Sequence, residues 1–160
     1  MSSFRIEPLG DRDRKSFDSG SDALNRYFRD QVGQDIRRRV ASCFVAIETS
    51  GDIAGFYTLA ASSLAFDALP VARSKKLPRY PVIPAVLLGR LAVSRTHHGK
   101  GLGAALLADA LLRVAQNDIA AYAMIVDAID DDAMAFYEHF GFVRLEAPMR
   151  LIYPLANLKA

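Results

Sequence analysis

Cysteine is almost absent: Cys43 is the only one in 160 residues, so disulfides cannot hold the fold. It lies in Ala41-Ser42-Cys43-Phe44-Val45-Ala46-Ile47, an apolar strand-like run that predicts a small buried core residue. No apolar run approaches the ~18 to 20 residues that a spanning helix needs, so no membrane segment or membrane partner is expected. The 3 histidines show no metal-ligand spacing, and no metal is expected. Internal repeats and low-complexity linkers are lacking as well. The opening Met1-Ser2-Ser3-Phe4-Arg5-Ile6-Glu7 has no apolar stretch of the kind that marks a secretion signal, which predicts a cytoplasmic location.

What is present describes an ordinary globular chain, 51% hydrophobic and 24% charged. A single domain over 1–160 is expected. The net charge is only +2, yet the charges cluster. Arg37, Arg38 and Arg39 form one basic block; Arg73, Lys75, Lys76 and Arg79 form a second. Arg90, Arg95, His97, His98 and Lys100 form a third, while acid gathers at Asp127, Asp130, Asp131 and Asp132. Each such residue by itself reads as solvated surface; as a set they suit a polyanionic partner.

Ser19 or Ser21 is expected to cap a helix carrying Leu24, Tyr27 and Phe28, with a second short helix from Gln34 to Arg39. Residues 41–48 and 53–62 predict an antiparallel hairpin. Four prolines make 63–84 an expected irregular excursion, with strand character returning at 85–93. Ala104, Leu107, Ala108, Leu111, Val114 and Ala115 then predict the apolar stripe of a helix ending near Asn117, with Asp109 on its polar face. A buried strand over 123–129 follows. Asp130 or Asp131 caps a short helix that Gly141 stops, and 142–145 and 149–155 close the sheet. The order predicts an α/β domain with a mixed sheet and helices on both faces.

The most specific segment runs from Leu88 to Leu107. An apolar strand enters a Gly-rich basic turn that opens directly into a helix, which aims backbone N–H groups at one point and suits phosphate. A triphosphate-binding loop of the Walker type is excluded because Lys100 precedes Gly101, not Ser or Thr. A dinucleotide fingerprint is excluded because Leu106 stands where the third glycine must be.

His98-Gly99-Lys100-Gly101-Leu102-Gly103 resembles the loop of the GCN5-related N-acetyltransferases (GNAT), Gln/Arg-x-x-Gly-x-Gly/Ala, with His98 in the first position. Asp130-x-x-Ala133-x-x-Phe136-Tyr137-x-x-x-Gly141-Phe142 resembles that family's later signature, with Asp for Asn. Further, Phe17-Asp18-Ser19-Gly20-Ser21, the stretch Gln34 to Ala46, and Gly55-Phe56-Tyr57-Thr58-Leu59-Ala60-Ala61 resemble the acetyltransferase toxins of bacterial toxin–antitoxin pairs. That resemblance covers essentially the whole chain. It implies the GNAT fold, a mostly antiparallel mixed sheet. It also implies acetyl-CoA as cosubstrate, acetylation of the α-amino group of aminoacyl-tRNA with arrest of translation, a ribbon-helix-helix antitoxin as partner, and a homodimer.

The resemblance assigns roles residue by residue. The amides of His98, Gly99, Lys100, Gly101, Leu102, Gly103 and Ala104 would cradle the coenzyme diphosphate. The strand residues Leu91, Ala92 and Val93 would offer a backbone N–H to the thioester carbonyl. On periodicity alone Tyr137 is a core aromatic beside Phe136 and Phe140; family position makes it the proton donor to the leaving thiolate. A phenol, with an ordinary pKa near ~10, is protonated at neutral pH. No general base stands out, with Asp127 and Glu138 as fallbacks, and an α-amine of pKa near ~8 has little need of one. Arg37, Arg38, Arg39, Lys75, Lys76, Arg79, Arg90 and Arg95 are the candidate tRNA contacts. Two alternatives share these residues: a GNAT enzyme acting on a small-molecule or protein amine, and a non-catalytic CoA- or partner-binding module.

Overall fold

The computed structural model describes residues 4–158, so the ends of the expected 1–160 domain, Met1 to Ser3 and 159–160, lie outside the described residues. Seven strands form one mixed sheet in the order β1-β2-β3-β4-β5-β7-β6, as the α/β expectation required. Among the described residues no helix is long and apolar enough to cross a membrane. The chain groups into two compact units, one reaching to Ala60 and including Leu88–Ala110, the other comprising Ala61–Leu87 and the chain from Leu111 onward.

In the first unit, β1 (Arg5–Pro8) precedes α1 (Asp22–Arg26), whose N-terminus is capped by the Ser21 hydroxyl accepting from Leu24 N–H at 3.3 Å. The two expected helices are continuous: a π-helical turn over Tyr27–Gln31 leads directly into α2 (Val32–Arg37). Phe28 and Val32, four residues apart and both 0% exposed, keep one apolar face through the turn, which is why no break occurs. Past the end of α2 the chain turns at Arg39, which adopts φ 60°, and Val40 N–H donates back to the Asp35 carbonyl at 3.0 Å.

β2 (Ser42–Ile47) and the start of β3 (Ile53–Ala65) form the expected antiparallel hairpin, pairing Phe44 with Tyr57 and Val45 with Phe56. Phe56 stacks on Phe28 at 4.3 Å between ring centroids, and Phe17 packs edge-on against both. Cys43 is buried in this core, as expected, and burial pushes its thiol up to about 12.

In the second unit the proline-rich excursion is shorter and more ordered than its composition suggests. β3 continues to Ala65, a short helix α3 (Val71–Ser74) follows Pro70, and β4 (Val82–Val93) begins before Pro84. Pro70 precedes the first helical turn, where its missing N–H costs nothing, and the Phe66 amide donates to the Pro81 carbonyl at 3.1 Å to close the excursion.

α4 (Leu102–Ala115) starts earlier than the periodicity implied, and its buried face is shifted from the expected stripe. Leu107, Leu111 and Val114 are buried as expected and Leu106 and Ala110 join them, whereas Ala108 and Ala115 are exposed. With apolar residues around most of this helix, the pattern alone does not select its inward side. β5 (Ala123–Asp127), α5 (Asp131–His139), β6 (Val143–Arg144) and β7 (Arg150–Pro154) complete the chain. The Asp130 carboxylate caps α5 by accepting from Ala133 N–H at 2.8 Å, and Gly141, at φ 97°, ends it.

Candidate active site

The Gly-rich bend between β4 and α4 leaves a run of its amides without an acceptor among the described residues. The first helical bond of α4 is from Ala105 N–H to the Gly101 carbonyl, at 3.1 Å. The N–H groups of Leu102, Gly103 and Ala104 are therefore the unpaired donors of a helix start. Those of Gly99, Lys100 and Gly101 likewise find no acceptor among the described residues. Gly99 and Gly101 adopt φ 75° and 79°, and a Cβ on either would meet nothing within 4 Å. Glycine is needed there for backbone conformation and not for lack of room. Six consecutive free donors at a helix N-terminus suit a diphosphate in charge and geometry.

His98 does less for such an anion than its motif position suggested. Its Nε2 lies 2.8 Å from the Val93 carbonyl, to which it must donate, and its amide donates to the Arg95 carbonyl at 3.4 Å. The side chain thus ties the bend to the end of β4, and the free donors begin at Gly99. His97, which the motifs did not single out, provides a second tether. Its Nε2 meets Glu48 Oε1 and its Nδ1 meets Ser94 Oγ.

Near the end of β4 the Arg90 amide donates to Oγ1 of the buried Thr58 at 3.1 Å. A Cβ on Gly89 would lie 3.0 Å from that oxygen, which explains the glycine. At Gly55 of β3, Leu106 Cδ1 and the Ala92 carbonyl oxygen come within 2.8 and 2.9 Å of where a Cβ would stand. The helix opened by the bend therefore packs directly on strand backbone. Asp109, expected on a solvent face, receives the Tyr57 hydroxyl at 2.5 Å.

Tyr137 lies on α5, with its ring 5.3 Å from that of Phe142 and 5.2 Å from that of Phe136. Burial raises its phenol to about 12, so it is protonated across the physiological range. Its hydroxyl has no hydrogen-bond partner among the described residues, and no fully buried side-chain polar atom is left unsatisfied. The ring is thus held by its neighbours while the hydroxyl remains reachable. The two fallback bases are committed elsewhere: Asp127 accepts two hydrogen bonds from Arg150, at 2.7 and 2.9 Å, and Glu138 accepts two from Arg144. The arginine holds the Glu138 carboxyl below its ordinary range.

The basic candidates divide by environment. Arg95 is paired with Asp18 at 3.6 Å, and the Arg90 guanidinium lies 3.6 Å over the Tyr27 ring. Tyr27 in turn donates to Asp35 at 2.8 Å. Lys75, Lys76 and Arg79 are exposed and carry no ion pair among the described residues. Arg38 contacts the Gln34 amide, Arg39 sits at the left-handed helix end, and Arg37 lines a recess with Arg12 and Arg14. No cluster of metal-ligating side chains occurs among the described residues.

Comparison with known proteins agrees with this chemistry. Residues 39–144 match the acetyltransferase (GNAT) domain family. The chain is 36% identical over 151 residues to a tRNA-acetylating toxin of Mycobacterium tuberculosis, covering 92% of this chain and 89% of that protein. Its fold is similar to AtaT complexed with acetyl-methionyl-tRNAfMet, with a TM-score of 0.88, 32% identity and 96% of each chain covered. It is also similar, at a TM-score of 0.81 and 27% identity, to a tyrosine-to-phenylalanine mutant of AtaT bound to the C-terminus of the antitoxin AtaR and acetyl-CoA. There 96% of this chain and 94% of the other are covered. The family match spans more than half of the sequence and the loop, the capped helix and Tyr137 fall inside it: this chain belongs to the GNAT family of acetyltransferases.

Proposed function

We propose that this protein transfers the acetyl group of acetyl-CoA to the α-amino group of an aminoacyl-tRNA and thereby arrests translation. The observation that carries the cosubstrate half is the run of free amides from Gly99 to Ala104. The acceptor half rests on the likeness, over 92% of the chain, to a tRNA-acetylating toxin.

Acetyl-CoA supplies an activated acyl group as its thioester; the remaining work belongs to the protein. The 99–104 amides hold the diphosphate, and Lys100 adds positive charge beside it. A backbone N–H from Leu91–Val93 polarises the thioester carbonyl. Tyr137 donates its hydroxyl proton to the departing sulfur. With Asp127 and Glu138 both tied to arginines, the chain presents neither fallback carboxylate as a free base. An α-amine, partly neutral at physiological pH, suits such a site better than a lysine side chain.

Lys75, Lys76, Arg79 and the Arg37–Arg39 block supply charge for the tRNA backbone, with Arg90 and Arg95 contributing as their Tyr27 and Asp18 contacts allow. We further propose that the chain acts as one domain, as a homodimer, in the cytoplasm where charged tRNA is found, and that a ribbon-helix-helix antitoxin neutralises it. Incubation with aminoacylated tRNA and labelled acetyl-CoA tests the reading: label is expected on the aminoacyl group. An active preparation that labels free polyamines or peptides but no charged tRNA would overturn it.

A further inference from the structure

Helix α2 carries a glycine where arginine gathers. At Gly33, Nη2 of Arg14 and Nη1 of Arg37 lie 3.2 and 3.3 Å from the position a Cβ would occupy. Two guanidinium groups thus share the space of one missing side chain, although 23 positions separate them in sequence. Arg14 is fixed in place by donating from Nη1 to the Phe28 carbonyl at 3.0 Å. Neither arginine has a carboxylate partner among the described residues, and Glu7 is paired with Arg12. Asp11 lines the same recess without pairing to either one. The recess encloses about 330 Å³, with Leu9 and Ile36 among its walls.

Two like charges held this close, with no carboxylate paired to either, suit an anion. The planar forks of two arginines match the oxygens of one phosphate. Arg38 and Arg39 continue the positive charge past the recess, as a repeating anionic backbone requires; an isolated acidic side chain would not. We propose that Arg14 and Arg37, converging on Gly33, form a slot for one backbone phosphodiester of the tRNA. This rests on the tRNA reading above and adds to it Arg14 and Gly33, which no motif marked.

Binding of fluorescently labelled uncharged tRNA, followed by anisotropy across a salt series, tests the slot. Three variants are compared: Arg14→Gln, Arg37→Gln, and Gly33→Leu, which keeps every charge but fills the slot. Each is expected to lower tRNA affinity about tenfold near physiological salt, the worth of a charge-assisted hydrogen bond. The Arg14→Gln/Arg37→Gln pair should also flatten the salt slope by about one. Acetyl-CoA affinity should stay within about twofold of the parent, since a single lost phosphate contact on the RNA leaves the coenzyme's own contacts intact. Thermal unfolding checks that Gly33→Leu is folded, and Gly33→Ala, which suits a helix interior, replaces it if not.

Full tRNA affinity in both arginine variants overturns the slot, as does loss of antitoxin binding alone, which would assign it to an acidic protein segment. If the parent protein acetylates no charged tRNA and the variants still lose tRNA affinity, the acetylation reading falls and the slot stands. If charged tRNA is acetylated and the variants bind it fully, only the slot falls.

Discussion

Nε2 of His97 lies 2.7 Å from Oε1 of Glu48, and Nδ1 on the opposite edge of the same ring lies 3.0 Å from Oγ of Ser94. The carboxylate can only accept, so Nε2 carries the proton; in the neutral ring Nδ1 then accepts from the serine hydroxyl. This chain joins the residue after β2 to the segment that leads into the Gly-rich bend. With its side chain only 12% exposed, His97 would lose a partner in a poorly solvated place if Glu48 were removed. That loss costs about 1–3 kcal/mol. Glu48→Leu is therefore expected to raise KM for acetyl-CoA about 5- to 150-fold with kcat little changed. Glu48→Gln, which still offers an accepting oxygen, should recover most of it. Initial-rate kinetics in acetyl-CoA decide, and an unchanged KM in Glu48→Leu rules out the tether.

Tyr137→Phe removes the proposed proton donor and leaves the packing against Phe136 and Phe142 in place. Turnover should fall by about 10²- to 10⁴-fold, the usual worth of a positioned acid, with acetyl-CoA binding retained in calorimetry. The pH profile of the parent enzyme gives a second check. Its phenol is raised to about 12, so activity should climb as the acceptor amine loses its proton and then hold through pH 10. A decline between pH 8 and 10 that Tyr137→Phe abolishes would falsify the assignment of the raised phenol.

Gly55→Ala tests the close approach of α4 to β3. A Cβ there stands 2.8 Å from a leucine methyl and 2.9 Å from a backbone oxygen, and the backbone oxygen has no rotamer by which to yield. Overpacking of this kind costs about 1–3 kcal/mol. Chemical denaturation should show a lowered midpoint, whereas Gly51→Ala, with nothing within 4 Å, should suffer only the strain of its φ of 93°. Equal losses in the two variants would point to backbone strain as the common cause and remove the packing argument.

Alkaline stability reports on the buried thiol. Cys43 ionises near 9.0 when exposed and only near about 12 in the fold. Above pH 9 the unfolded chain therefore releases a proton that the folded chain keeps, and stability falls as pH rises. The sign follows from linkage: the state that binds fewer protons gains as pH increases. One such group contributes up to about 1.4 kcal/mol per pH unit across that window. Urea unfolding at pH 8 and pH 10.5 should show the loss, and Cys43→Ala should make it shallower. An identical pH dependence in Cys43→Ala would mean that the thiol is not protected by burial.

Much of the local structure was legible in the sequence. Ser21 and Asp130 are cap residues by chemistry, and both caps form. The strand-to-helix bend with Gly99 and Gly101 was readable because only glycine readily takes a positive φ twice within three residues. The limits lay where a pattern is degenerate. α4 is apolar on several sides, so periodicity found Leu107, Leu111 and Val114 but not Leu106 and Ala110 of its buried face; four prolines suggested an irregular excursion over a stretch that holds α3 and two strand ends.

What the sequence alone determined is the chemistry carried by contiguous residues: the bend that frees amides for an anion, the capped helix bearing Tyr137, and the alternation of helices and strands that makes an α/β chain. These follow from backbone preferences acting over a few residues, and they hold wherever the segment is placed. Tertiary structure alone decided which side chains meet across long separations. It gave Asp109 to Tyr57, Arg95 to Asp18 and His97 to Glu48, and it brought Arg14 to Arg37 over Gly33. The physical reason is that a charge or a donor carries no mark of its partner along the chain. Its role is settled only when folding closes the loop between them and water is removed from around the pair.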